Sequence, residues 1–146
     1  MEADKDFAAA FENARRLHAA GKFAEAEMAY RRLADDSSHR ETVLQALFDL
    51  YVHAGRPQQA AETLMELIKV VPDSLTYHAH LGQLLVTMGQ PEVAVVFYER
   101  LLERKPELAD AWFSAALMYK HAFRYDDALA AYEKALELGI DNEQEV

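Results

Sequence analysis

A turn recurs every 34 residues along this chain, and that period restricts its fold more than any other feature. The stretches AAGKFAEAEMAY, HAGRPQQAAETL and TMGQPEVAVVFY begin at residues 19, 53 and 87 and share one grammar. Gly21, Gly55 and Gly89 mark the turns, with Phe123 in the next place. Ala26, Ala60, Ala94 and Ala128 keep the interval without a miss, and Tyr30, Leu64, Tyr98 and Tyr132 follow each alanine by four. Leu33, Leu67, Leu101 and Ala135 come three residues later, while Leu17, Tyr51, Leu85 and Tyr119 precede the turns. A period of this length means a stack of small units, none of which buries its apolar face alone.

Each unit reads as two helices. Trp112, Ala115, Ala116 and Tyr119 recur at spacings of three and four, as do Ala128, Leu129, Tyr132, Ala135 and Leu136. That is the apolar stripe of a 3.6-residue helix. Glycine suits the left-handed residue that closes the first helix. Pro57 and Pro91 suit the first position of the second helix, where a missing N–H costs nothing. Pro72 and Pro106 end second helices, and Asp73 or Ser74 can cap the next first helix. Alanine stands in every copy where two helix axes must approach closely.

The pattern resembles the tetratricopeptide repeat. The fourth copy carries Trp112, Ala115, Ala116, Tyr119, Ala128 and Tyr132 at the family's positions. The third carries His78, Leu81, Gly82, Leu85, Ala94, Tyr98 and Pro106, and the second Leu44, Leu47, Tyr51, Ala60, Leu64 and Pro72. The resemblance implies an all-α, right-handed α-solenoid of four antiparallel helix pairs forming one domain over 1–146, with repeats at about 7–40, 41–74, 75–108 and 109–142. It also implies a protein-binding scaffold.

The departures carry expectations of their own. Ala10 and Asn13 stand where large apolar residues are usual, as suits a terminal repeat facing solvent. Phe48 shares a column with Ala14, Gly82 and Ala116, so the second pair should be splayed or the ring turned outward. Phe123 in place of the turn glycine predicts a locally different closure. Ile140 replaces a closing proline.

Composition narrows the partners. With 15 Lys plus Arg against 25 Asp plus Glu, the formal net charge is -10. Such a surface repels phosphate backbones and anionic lipid, which argues against nucleic acid and membrane. The chain has no cysteine, so thiolate metal sites and thiol nucleophiles are excluded. No apolar run approaches the ~18 residues that span a bilayer, and the start has no secretion signal. A soluble, cytoplasmic protein is expected.

Motifs for catalysis are missing: there is no phosphate-binding glycine loop, nucleophile elbow or HExxH. His78 and His80 are two apart and point about 200° apart on a helix, too far to share a metal. The carboxylates fall at helix starts and on second helices, where caps and solvated faces explain them. We therefore expect no enzyme, no cofactor and no metal.

The family's functional surface is the groove lined by first helices. Carried onto this chain, it implies a protein or peptide site at Phe11, Arg15, His18, Gln45, Asp49, His53, His80, Gln83, Phe113, Leu117, Lys120 and His121. Such a groove suits an amphipathic helix or extended peptide read by apolar anchors and hydrogen bonds. Phe11 and Phe113 serve equally well as filling between repeats. The pattern of Lys and Asn that clamps a chaperone's terminal carboxylate is missing, since Phe11, Arg15, Thr76 and His80 stand at those positions. The last residues, ELGIDNEQEV, look like the start of a fifth copy. That fits a repeat module of a larger bacterial enzyme of sulfotransferase or glycosyltransferase type; a secretion-type chaperone is a further alternative. Residues 139–146 are too few for a stable covering helix. Leu129, Tyr132, Leu136 and Leu138 should then leave an apolar edge through which the chain self-associates.

Overall fold

A computed structural model describes residues 2–139. Among these residues all regular structure is helical, and the chain forms two compact units, Met1–Val71 and Pro72–Val146. The first unit holds α1 (Glu2–Ala19), α2 (Phe23–Ala34), α3 (Arg40–His53) and α4 (Pro57–Val70), with a short 3-10 turn at Ser37–His39. The second holds α5 (Leu75–Thr87), α6 (Pro91–Arg104), α7 (Ala109–His121) and α8 (Tyr125–Glu137). Odd-numbered helices are the first members of the pairs and even-numbered helices the second. The fold class is an all-α helical repeat of the solenoid type.

Within each unit the second helix of one pair packs against the first helix of the next: α2 on α3, and α6 on α7. The alanine column makes this possible. Ala26, Ala60 and Ala94 are fully enclosed, and Ala128 nearly so. Tyr30, Leu64 and Tyr98, one helical turn on, fill the space between helices and are buried. Leu44, Leu47, Leu50 and Tyr51 supply the same filling from α3. Pro57 and Pro91 open their helices, and the Ser74 side chain accepts a hydrogen bond from the Tyr77 amide at the start of α5.

The four pair-closing turns share one geometry. The amide of Gly21 donates to His18 and that of Lys22 to Leu17; Gly55 and Arg56, and Gly89 and Gln90, repeat the two bonds. All three glycines have positive φ, where a Cβ would crowd the backbone. Phe123 corrects the expectation of a different closure. Its φ is 62°, and the amides of Phe123 and Arg124 donate to Lys120 and Tyr119 in the same pattern. Arg124, the next residue, holds the turn. Its guanidinium lies 4.9 Å from the Tyr119 ring and bonds Asp127 at 2.9 Å and Glu92 at 3.3 Å. That grip offsets a left-handed residue's strain of about 1–2 kcal/mol.

Phe48 is half-buried where Ala14, Gly82 and Ala116 are buried. Ala10 and Asn13 are exposed on α1. Ile140 lies outside the described residues.

Candidate functional site

In the first unit a concavity of about 630 Å³ opens between the inner faces of α1 and α3. Helical spacing sets its lining: Phe11, Arg15 and His18 on α1, and Thr42, Gln45, Asp49 and His53 on α3, recur three or four residues apart. Six residues expected from the sequence, Phe11, Arg15, His18, Gln45, Asp49 and His53, are brought together here. Two aromatic rings from α2, Phe23 and Tyr30, form the wall between them. The Phe11 ring lies 5.7 Å from that of Tyr30 and stacks on Phe7 at 5.4 Å, so it fills the helix junction and faces the concavity at once.

The polar rim centres on two imidazoles. His18 Nε2 and His53 Nδ1 share a hydrogen bond of 2.8 Å. The His18 ring also meets Phe23 and Tyr30 edge-on, at 5.9 and 6.5 Å. Burial lowers the His18 pKa and the neighbouring His53 lowers it further, with Asp49 opposing. That shift favours the uncharged His18 ring, and the 2.8 Å contact lets one ring donate to the other's lone pair. Arg15 pairs with Glu12 at 3.7 Å on an exposed edge, an interaction worth at most about 1 kcal/mol.

The second unit has a smaller concavity, about 350 Å³, between α5 and α7. Gln83, Leu117 and His121 line it together with Ala79, Val86, Thr87, Ser114, Tyr98 and Met118. His80, Phe113 and Lys120 do not. His80 lies about 100° around α5 from Ala79, and the Phe113 ring packs edge-on against Tyr132 at 5.5 Å. Lys120 is exposed near the end of α7. His78, on the opposite side of α5, is buried with its Nδ1 bonded to the Ser74 carbonyl at 2.7 Å and its ring against Tyr98. Burial lowers its pKa, with the Ser74 carbonyl opposing.

The edge residues separate. Leu129 is 59% and Leu136 52% exposed, whereas Tyr132 turns inward to Phe113. Leu138, also exposed, caps α8 and lines a third recess with Asp73, Leu75 and Leu108.

The concavities can seat apolar side chains against aromatic rings and offer hydrogen bonds at their rims. Among the described residues no group of three or more His, Cys, Asp or Glu is placed to hold a metal ion. No described helix is long and apolar enough to cross a membrane. Sequence reasoning treated Tyr30, Phe23, Tyr98 and Met118 as interior or left them out. The aromatic column four residues after each alanine was the available signal, since a ring at a helix junction shows one edge to the groove.

Two models of the tetratricopeptide repeat match the chain, one over residues 17–84 and the other over 81–143. Among solved structures, a tetratricopeptide repeat protein from Parabacteroides merdae superposes with a TM-score of 0.67 at 20% identity, covering 92% of this chain and 54% of that one. MamA from Desulfovibrio magneticus RS-1 superposes with a TM-score of 0.60 at 21% identity, covering 92% of this chain and 76% of that one. These likenesses concern the fold. Protein O-mannosyl-transferase TMTC1 of Homo sapiens is 28% identical over 118 residues, 81% of this chain, and the chain spans 13% of that protein.

Proposed function

The chain belongs to the tetratricopeptide repeat family, and from that premise we propose that it is a non-catalytic scaffold binding a peptide or helix of a protein partner along its first helices. One observation carries the reading: the concavity of the first unit combines an aromatic wall, Phe11, Phe23 and Tyr30, with a polar rim of Gln45, Asp49 and the His18–His53 pair. Such a surface takes an apolar anchor and orients it by a few hydrogen bonds. Gln83, Leu117 and His121 would extend the same recognition in the second unit, and His80, Phe113 and Lys120 would contact a ligand's flanks.

The test uses a peptide selected from a random display library against the chain. Gln45→Ala with Asp49→Ala should weaken its binding at least tenfold by calorimetry, whereas Glu62→Ala on α4 should leave it unchanged. Equal affinity for all three proteins would end the groove reading.

A second reading draws on the likeness to TMTC1, a protein named as a transferase. Here the repeats serve as a partner-binding module within a longer enzyme. Sequencing the complete transcript tests it: a transferase domain in the same reading frame supports it, and a frame with no such domain on either side of these residues removes it.

A further inference from the structure

The repeat register reveals what the exposed face of α8 is built to meet. In the second unit, Val95 and Leu102 on α6 are buried where α7 packs on them. Their counterparts 34 residues on, Leu129 and Leu136, are 59% and 52% exposed. On α6 this face is covered by α7, and on α8 it is exposed among the described residues.

That junction has a polar lock as well. In the second unit the Tyr119 hydroxyl donates to Glu99 at 2.7 Å, and Arg124 reaches Glu92 at 3.3 Å and Glu99 at 3.9 Å. In the first unit Tyr51 and Arg56, the same columns, both grip a carboxylate at another position of α2, Glu27 in the column of Val95. On α8 the acceptor positions of Glu92 and Glu99 become Asp126 and Glu133, both exposed.

The other half of the junction is also in the chain. On α3, Val43, Leu47 and Leu50 are buried where that helix packs on α2. Their counterparts on α1 are Ala9, Asn13 and Arg16, all exposed. The arginine of the lock, Arg56 or Arg124, becomes Lys22, also exposed. So α1 presents Ala9, Asn13 and Arg16 with the Lys22 cation in register, and α8 an apolar face with two carboxylates in register.

We propose that copies of this chain dock head to tail, α1 and Lys22 of one copy taking on α8 of the next the place that α7 and Arg124 take on α6. Leu129 and Leu136 then pack around Ala9 and Asn13, and Lys22 meets Asp126 and Glu133. A contact of α8 with α8 in an antiparallel pair is disfavoured, because the row of Asp126, Glu133 and Glu137 on one copy would face the same row on the other. The contact joins unlike faces, so each copy offers one face of each kind. Asn13 and Arg16 against two leucines make each contact weak.

Sedimentation velocity over a concentration series tests this, with circular dichroism to check helicity. The unmodified chain of residues 1–146 should associate as concentration rises. Lys22→Glu and Leu136→Glu should each weaken association at least tenfold while staying helical. Mixed together they should form 1:1 dimers, since one keeps a free α8 face and the other a free α1 face. An unmodified chain that stays monomeric at every concentration overturns the proposal. So does association that Leu136→Glu abolishes but Lys22→Glu leaves intact, which would mean an α8-to-α8 contact.

Discussion

The two concavities occupy equivalent columns and differ in chemistry. Phe11, Arg15 and His18 in the first unit stand where Ala79, Gln83 and Val86 stand in the second. Across from them, Asp49 and His53 correspond to Leu117 and His121. One sets an arginine, an aspartate and two histidines against aromatic rings, while the other mixes aliphatic side chains with Gln83, Thr87, Ser114, His121 and the Tyr98 ring. His53 has His18 at hydrogen-bond distance, while His121 faces a column holding Val86. The repeat therefore fixes where a side chain sits and leaves its chemistry open.

If the scaffold is shared, damage to it should be equal in both units. Ala26→Leu and Ala94→Leu each force a branched side chain between helices in contact, and each should cost about 1–3 kcal/mol in urea unfolding. A loss in one unit alone would break the equivalence. The turns give a smaller effect of opposite sign. Phe123→Gly should stabilise by about 1 kcal/mol, since it removes a Cβ from a left-handed residue, and Gly55→Ala should cost a similar amount. A destabilised Phe123→Gly would mean that the exposed ring, 6.3 Å from Tyr125, contributes more than its strain.

Acid should separate the histidines. His18 and His78 both have lowered pKa values in the folded chain, so below the ordinary value of 6.5 the unfolded chain binds more protons. Their contribution is complete above pH 6.5 and is lost as pH falls through it toward the folded values. His18→Val, which gives the first unit the residue of Val86, should flatten part of that slope and leave the part due to His78. An unchanged slope in urea midpoints between pH 8 and 5 would show that the burial of His18 carries no linkage.

Much of the scaffold was legible in the sequence because it depends on repeated columns. Glycine turns, N-terminal prolines, the alanine column and the Ser74 cap all follow from local chemistry. Phe123 was misread because residue type alone suggested a new closure; the backbone bonds to Lys120 and Tyr119 and the anchored Arg124 impose the old one. His18 and His53 were legible as groove residues but not as a pair, since their separation of 35 places them in step only once α1 and α3 lie side by side. Leu136 and Leu138 are both exposed, as the sequence led one to expect, but two residues along a helix turn about 200° apart, so they face different surroundings.

The most direct test of the central claim, that recognition resides in the first helices, is amide chemical-shift mapping with the display-selected peptide. Shifts should concentrate on α1 and α3, at Arg15, His18, Gln45, Asp49 and His53, with smaller changes at Gln83 and Leu117. Shifts confined to the second helices, at Met28 and Glu62 for example, with the first helices silent, would contradict it.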